Sequence, residues 1–182
     1  MNGRMGGPCA PARVVAATTT FTAVSALIDS LPMHVRDLFD PTAVALPLKA
    51  RDPDAVLPEL VGLLGLDQPS STALLDALRR REELGSTGVG RGVAIPHGRT
   101  LVVNRVRLAY GHAPAGIPWR AVDDRPVHHF FLIVAPPIEV SNQYLPVLGR
   151  IAQFAKDPEL PDRLSRLTGA EDFFGLLEEK GV

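Results

Sequence analysis

The sequence has a single cysteine, Cys9. One thiol excludes an intramolecular disulfide and a cysteine-built metal cage, and it suits a reducing cytoplasm. Charge of either sign is not in excess: the formal net charge is −1. That balance argues against a nucleic-acid surface or an anionic-membrane binder. Long apolar runs are missing as well. The nearest is "VVAATTTFTAVSALI", Val14 to Ile28, where four threonines and a serine dilute a stretch short of the ~18 to 20 apolar residues of a membrane span. It leads into "DSLPMHV", with no small-residue cleavage site of a secretory signal. No internal repeat is visible.

What remains is a chain of 182 residues that is 46% hydrophobic, enough for one domain with a real core and some tail. Residues 1 to 32 are rich in Gly, Pro, Ala and Thr and hold no sustained period, which predicts a flexible tail. The folded domain is expected over 33–182. "DPDAVLPELVGLLG" opens with an aspartate cap and a first-turn proline, and Val56, Leu60, Leu63 and Leu64 recur at helical spacing up to Gly65. "SSTALLDALRRREELG" predicts a second helix, capped by Ser70 or Ser71 and stopped by Gly85. Leu74 and Leu78 form its inner stripe, and of its three arginines only Arg81 continues that stripe. The bland reading of the Arg-Glu run is a solvated helix end.

"GVAIPH" reads as a short strand halted by Pro96. "RVRLAYGH" alternates, with Val106, Leu108 and Tyr110 on one face of a half-buried strand. "PVHHFFLIVAPP" is apolar apart from its histidines and reads as a central strand buried on both faces. "SNQYLPVLGRIAQFAKD" is a helix beginning near Asn142, because Pro146 fits only a first turn, so Tyr144 stands close to its N-terminus. "PDRLSRL" and "AEDFFGLLEE" are two short closing helices. The whole predicts one α/β domain, a mixed sheet flanked by helices on both faces.

The glycine-rich stretch "GSTGVGRG" fails as a nucleotide loop, since Arg91 and Gly92 stand where Lys and Ser/Thr are needed and a strand follows instead of a helix. Gly88, Gly90 and Gly92 are expected to let the backbone turn tightly past something small. None of the five histidines forms an i, i+4 helical pair, so no metal site and no metal cofactor are expected. His128 and His129 face opposite sides of the central strand and read as packed rings. His112 ends a strand, where packing and a site are both open. His97 differs: it follows a residue of fixed φ and precedes a flexible glycine. Imidazole is a competent phosphoryl acceptor, neutral near pH 7, nucleophilic and a good leaving group. No Ser/Asp constellation accompanies it. On residue types alone, a functional and a merely structural His97 both stand.

Residues 79–99, "RRREELGSTGVGRGVAIPHGR", resemble the signature of enzyme IIA domains of the mannitol/fructose type, from the bacterial sugar phosphotransferase system, a group that includes nitrogen-regulatory IIA proteins. "GIPWRAVDDRPVHHFFLIVAPP" and "YLPVLGRIAQFAKDPEL" extend the likeness in order and spacing, from about Met33 to Lys180. The resemblance implies that His97 accepts a phosphoryl group from the phosphohistidine of an HPr-like phosphocarrier protein. It implies onward transfer to a IIB domain, usually onto cysteine, and assigns Arg81 to hold the phosphoryl oxygens. Gly88, Gly90 and Gly92 would clear space for the group. One departure stands out: many members carry a second site histidine where this chain has Tyr144, which can donate a hydrogen bond but cannot become cationic. Two functions follow as expectations, a phosphoryl carrier serving sugar uptake and a regulatory module whose phosphorylation state governs binding to a target protein. Neither calls for a cofactor, nucleic acid or membrane insertion, and both suit the cytoplasm.

Overall fold

The computed structural model describes residues 34–182. The tail expected over 1–32, with Cys9 inside it, lies outside the described residues. A short 3₁₀ turn, Val35–Leu38, leads into strand β1, Phe39–Ala45. Helices α1 (Pro53–Gly62) and α2 (Gln68–Glu83) follow. Then come β2 (Gly88–Gly90), β3 (Val93–Ala94), β4 (His97–Arg99), β5 (Arg107–Ile117) and β6 (Val127–Ala135). Helices α3 (Tyr144–Phe154), α4 (Leu160–Ser165) and α5 (Ala170–Glu179) end the chain.

The six strands form one mixed sheet in the order β1-β5-β6-β3-β2, with β4 also paired to β6. β6 is the spine. It runs antiparallel to β5 and parallel to both β3 and β4. Every residue from Phe130 to Ala135 is at most 1% exposed, as its unbroken apolar run predicts. Phe130, Leu132 and Val134 meet the α1 and α2 side through Leu60, Leu74 and Leu78. Phe131 and Ile133 meet the α3 to α5 side through Val147, Ile151 and Phe173. Each such side chain removed from water contributes about 1.5–3 kcal/mol. Helices therefore cover both faces, as expected from the sequence.

Local chemistry explains most element starts. Asp52 caps α1 by accepting from the Ala55 N–H at 2.9 Å, with Pro53 in the first turn. α2 starts earlier than expected: Asp67, not Ser70 or Ser71, is its cap, accepting from the Ser70 N–H at 2.8 Å. An aspartate followed by a first-turn proline outcompetes the serines behind it. α3 begins at Tyr144 rather than near Asn142. β5 is buried on both faces, not one, because Leu48 packs where Gly111 has no side chain.

The strand expected to stop at Pro96 resumes. Val93 pairs with His129 and His97 with Ile133, the same offset on both sides of the break. The Pro96 carbonyl still accepts from the Ile133 N–H at 2.9 Å. Proline lacks only its own N–H, so the ladder toward β6 loses one donor at Pro96 and keeps the acceptor. His97 therefore opens a strand instead of closing one.

Candidate functional site

His97 is half-buried on β4, in register with the central strand β6. Its Nδ1 lies 2.6 Å from the Ile95 carbonyl, and its Nε2 lies 3.2 Å from Nε of Arg81. A carbonyl can only accept and a guanidinium N–H can only donate. The partners thus fix the tautomer: Nδ1 carries the proton and Nε2 keeps its lone pair. Burial holds the imidazole pKa below its usual value; the Ile95 bond raises it, the Arg81 charge lowers it further and Glu82 raises it. The ring is neutral at pH 7, with its bare nitrogen facing a cation.

Arg81 reaches this point from the last turn of α2. The helical stripe is as the period predicts: Leu74 and Leu78 are buried, Arg81 is half-buried, and Arg79 and Arg80 are exposed. Arg81 also donates from Nη1 to the Gly85 carbonyl at 2.8 Å, which holds the guanidinium at the helix end. α2 sits close because β4 has a glycine beneath it. A side chain at Gly98 would meet Leu78 Cδ2 at 3.3 Å.

Behind the imidazole runs a chain of hydrogen bonds. The Glu82 carboxylate accepts from the Thr87 N–H at 2.8 Å and from its hydroxyl at 2.6 Å. The Thr87 carbonyl accepts from the Ile95 N–H at 3.0 Å, and the Ile95 carbonyl accepts from His97 Nδ1–H. Glu82 thus sets the loop that sets the imidazole. The sequence signal was the acidic residue after Arg81, to which sequence reasoning gave no role.

Tyr144 arrives from the start of α3. Its ring centre is 6.1 Å from that of His97. Arg99 lies across the same ring, its Cζ 4.5 Å from the centre. Burial pushes the Tyr144 phenol up, while Arg81 and Arg99 pull it down. Arg99 was missed from sequence because the strand that brings it there was expected to have ended.

His97, Arg81 and Tyr144 are brought together. The neighbours of the three glycines lie in another segment. A Cβ at Gly88 would come within 2.7 Å of Ala121 Cα, and one at Gly90 (φ +88°) within 3.3 Å of Asp123. One at Gly92 (φ +77°) would come within 3.4 Å of His128. The tight passage expected of them is needed, but against the protein's own 119–128 segment. His112, His128 and His129 line a different surface cavity of ≈ 390 Å³ together with Arg91 and Ser165. Among the described residues, no three His, Cys, Asp or Glu side chains form a metal-holding group.

The family model described as "Phosphoenolpyruvate-dependent sugar phosphotransferase system, EIIA 2" matches residues 37–180. A nitrogen regulatory protein of Bradyrhizobium diazoefficiens is 30% identical over 146 residues, 80% of this chain and 95% of that protein. A fructose-specific EIIABC component of Bacillus subtilis is 28% identical over 134 residues, 72% of this chain but 21% of that longer protein. The crystal structure of the nitrogen regulatory protein IIA-Ntr from Neisseria meningitidis superposes with a TM-score of 0.72 at 26% identity, covering 79% of this chain and 98% of that one.

Proposed function

The chain belongs to the EIIA 2 family of the phosphoenolpyruvate-dependent sugar phosphotransferase system, and from that premise we propose that it carries a phosphoryl group on His97. The donor is the phosphohistidine of an HPr-like protein. His97 Nε2 attacks phosphorus with its lone pair. The Nε2–P bond forms as the donor's N–P bond breaks, and the donor imidazole leaves with that electron pair. His97 keeps its Nδ1 proton, and the Ile95 carbonyl stabilises the positive charge the ring acquires. Arg81 turns from the spent lone pair to the phosphoryl oxygens, where its planar fork suits two of them. Transfer onward reverses these steps, with the thiolate of a IIB domain as the attacking group. Residues 33–182 act as one domain in this reading, which has no need of a cofactor. No helix among the described residues is long and apolar enough to cross a membrane, which accords with a cytoplasmic carrier.

The observation that carries the proposal is the bare Nε2 of a neutral imidazole held 3.2 Å from an arginine nitrogen. Incubation with phospho-HPr and mass spectrometry tests it: an acid-labile phosphate on His97 is expected, and its absence overturns the reading.

A regulatory output for the same phosphorylation is the second reading. Its support is the match over 95% of a nitrogen regulatory protein, and the replacement of a cationic partner by Tyr144. Two measurements separate the outputs. Transfer of label to a fructose-type IIB supports uptake. Partner capture that differs between phosphorylated and unmodified chain, with no transfer to IIB, supports regulation.

A further inference from the structure

Phosphoryl transfer at His97, as laid out above, gives Arg99 no part, yet Arg99 is tightly held beside the imidazole. Side chains alternate along β4. Gly98 faces Leu78 on α2, so His97 and Arg99 on either side of it project toward α3. Arg99 is then fixed in three ways. Nη1 donates to the Pro136 carbonyl at 2.8 Å and to the Ser141 carbonyl at 3.3 Å, and the guanidinium lies over the Tyr144 ring. The two carbonyls belong to the segment that leads into α3. Arg99 therefore ties the start of that helix, and the tyrosine on it, to the strand that bears His97. The phenol feels the charge of both Arg81 and Arg99, whereas the imidazole feels Arg81 and Glu82. The tyrosine is the group that links the two cations.

We infer that Arg99 is a positioning residue of the phosphoryl site, holding Tyr144 where its hydroxyl donates to a phosphoryl oxygen on His97 Nε2. The inference rests on His97 being the phosphoryl acceptor. A guanidinium suits this place, because its Cζ stands over the ring while a separate nitrogen, Nη1, reaches two carbonyls. An ammonium has one nitrogen to divide between the ring and the carbonyls. A phenol polarised by two cations is the stronger donor toward a dianion. Arg99 so placed requires no movement when the phosphoryl group arrives.

A double-mutant cycle tests it. His97 is loaded with phosphoramidate, a small donor that needs no protein partner, and the lifetime of the phosphohistidine is followed by phosphorus NMR. Tyr144→Phe should shorten it about tenfold, the worth of one hydrogen bond to a charged group. Arg99→Gln should shorten it about fivefold in the wild-type background and less than twofold on top of Tyr144→Phe. Arg99→Lys should behave as Arg99→Gln. Ultraviolet titration gives a second readout. The chain has two tyrosines, and burial pushes Tyr110 up so strongly that Tyr144 ionises first; Arg99→Gln should raise its midpoint. Equal Arg99→Gln effects in both backgrounds, no effect in either, or an unmoved phenol overturn the role. A loaded chain without coupling overturns this role alone. A wild-type chain left unmodified by phosphoramidate and phospho-HPr overturns the carrier reading and this role with it.

Discussion

His97 and His129 are two imidazoles bonded into the same sheet, and they end in opposite states. Both have depressed pKa values, and burial is the first cause in each. His129 lies on the central strand, 1% exposed, and both its nitrogens are used. Ser165 Oγ donates to the Pro161 carbonyl at 2.8 Å, so it accepts from Nε2–H of His129 at 3.3 Å. Nδ1 then accepts from the Tyr110 hydroxyl at 2.9 Å. His97 lies on the strand beyond, and its second nitrogen meets only a cation. The difference lies in exposure and in the donor that each unprotonated nitrogen meets: a buried phenol at His129, and at the half-buried His97 the guanidinium of Arg81, the group that the proposed transfer would use on the phosphoryl oxygens.

The sharpest way to break the comparison is to delete each ring. His97→Ala should abolish phosphoryl acceptance altogether, read by mass spectrometry after phospho-HPr treatment. Arg81→Ala comes next. It should keep the acceptor but slow loading about a hundredfold, since an aligned cation at developing charge is worth roughly 2.7–4 kcal/mol. His129→Leu should do the reverse. It strands the Tyr110 hydroxyl and should lower unfolding free energy by about 1–3 kcal/mol in a denaturant titration, with loading unchanged. If His129→Leu abolishes loading in a folded chain, the two rings are not separable in the way described.

pH sharpens the same contrast. Burial, then the nearby His112 and His128, push His129 down to about 3 from an ordinary 6.5. The unfolded chain therefore takes up this proton first as pH falls. The stability contributed by a neutral His129 is complete above about 6.5 and is lost progressively toward about 3, at most ~1.4 kcal/mol per pH unit. Thermal unfolding across that window should show the slope, and His129→Leu should flatten it. The smallest effect is expected at the bond chain behind the His97 ring. Glu82→Gln keeps one acceptor for Thr87 and loses the charge, so loading should slow only several-fold, about 1 kcal/mol.

The sequence made some of this legible because the signal was local. β6 announces itself by six consecutive apolar residues, and Arg81 by its place in a helical stripe three residues past Leu78. Tyr144 was placed at a helix start by Pro146. What escaped was set by contacts distant in sequence. β1 carries Asp40, Pro41 and Thr42 on partly exposed backbone and becomes a strand only by lying parallel to β5. β4 was hidden by a proline that looks like a stop until β6 is beside it. With β4 hidden, Arg99 could not be paired with His97. The glycines signalled a close approach, but not that Ala121, thirty-three positions after Gly88, was what approached.

The interruption at Pro96 has a consequence for how this protein meets others. β4 is three residues long, pairs with β6 alone, and follows a residue with no N–H to offer. An exposed edge of continuous donors and acceptors would recruit any extended segment that reached it, and the added strand would crowd the His97 imidazole. The break at Pro96 leaves β4 too short to offer that template, while the Pro96 carbonyl keeps the pairing with β6. Under the proposed carrier function, a visiting protein would meet His97 through side chains and leave again.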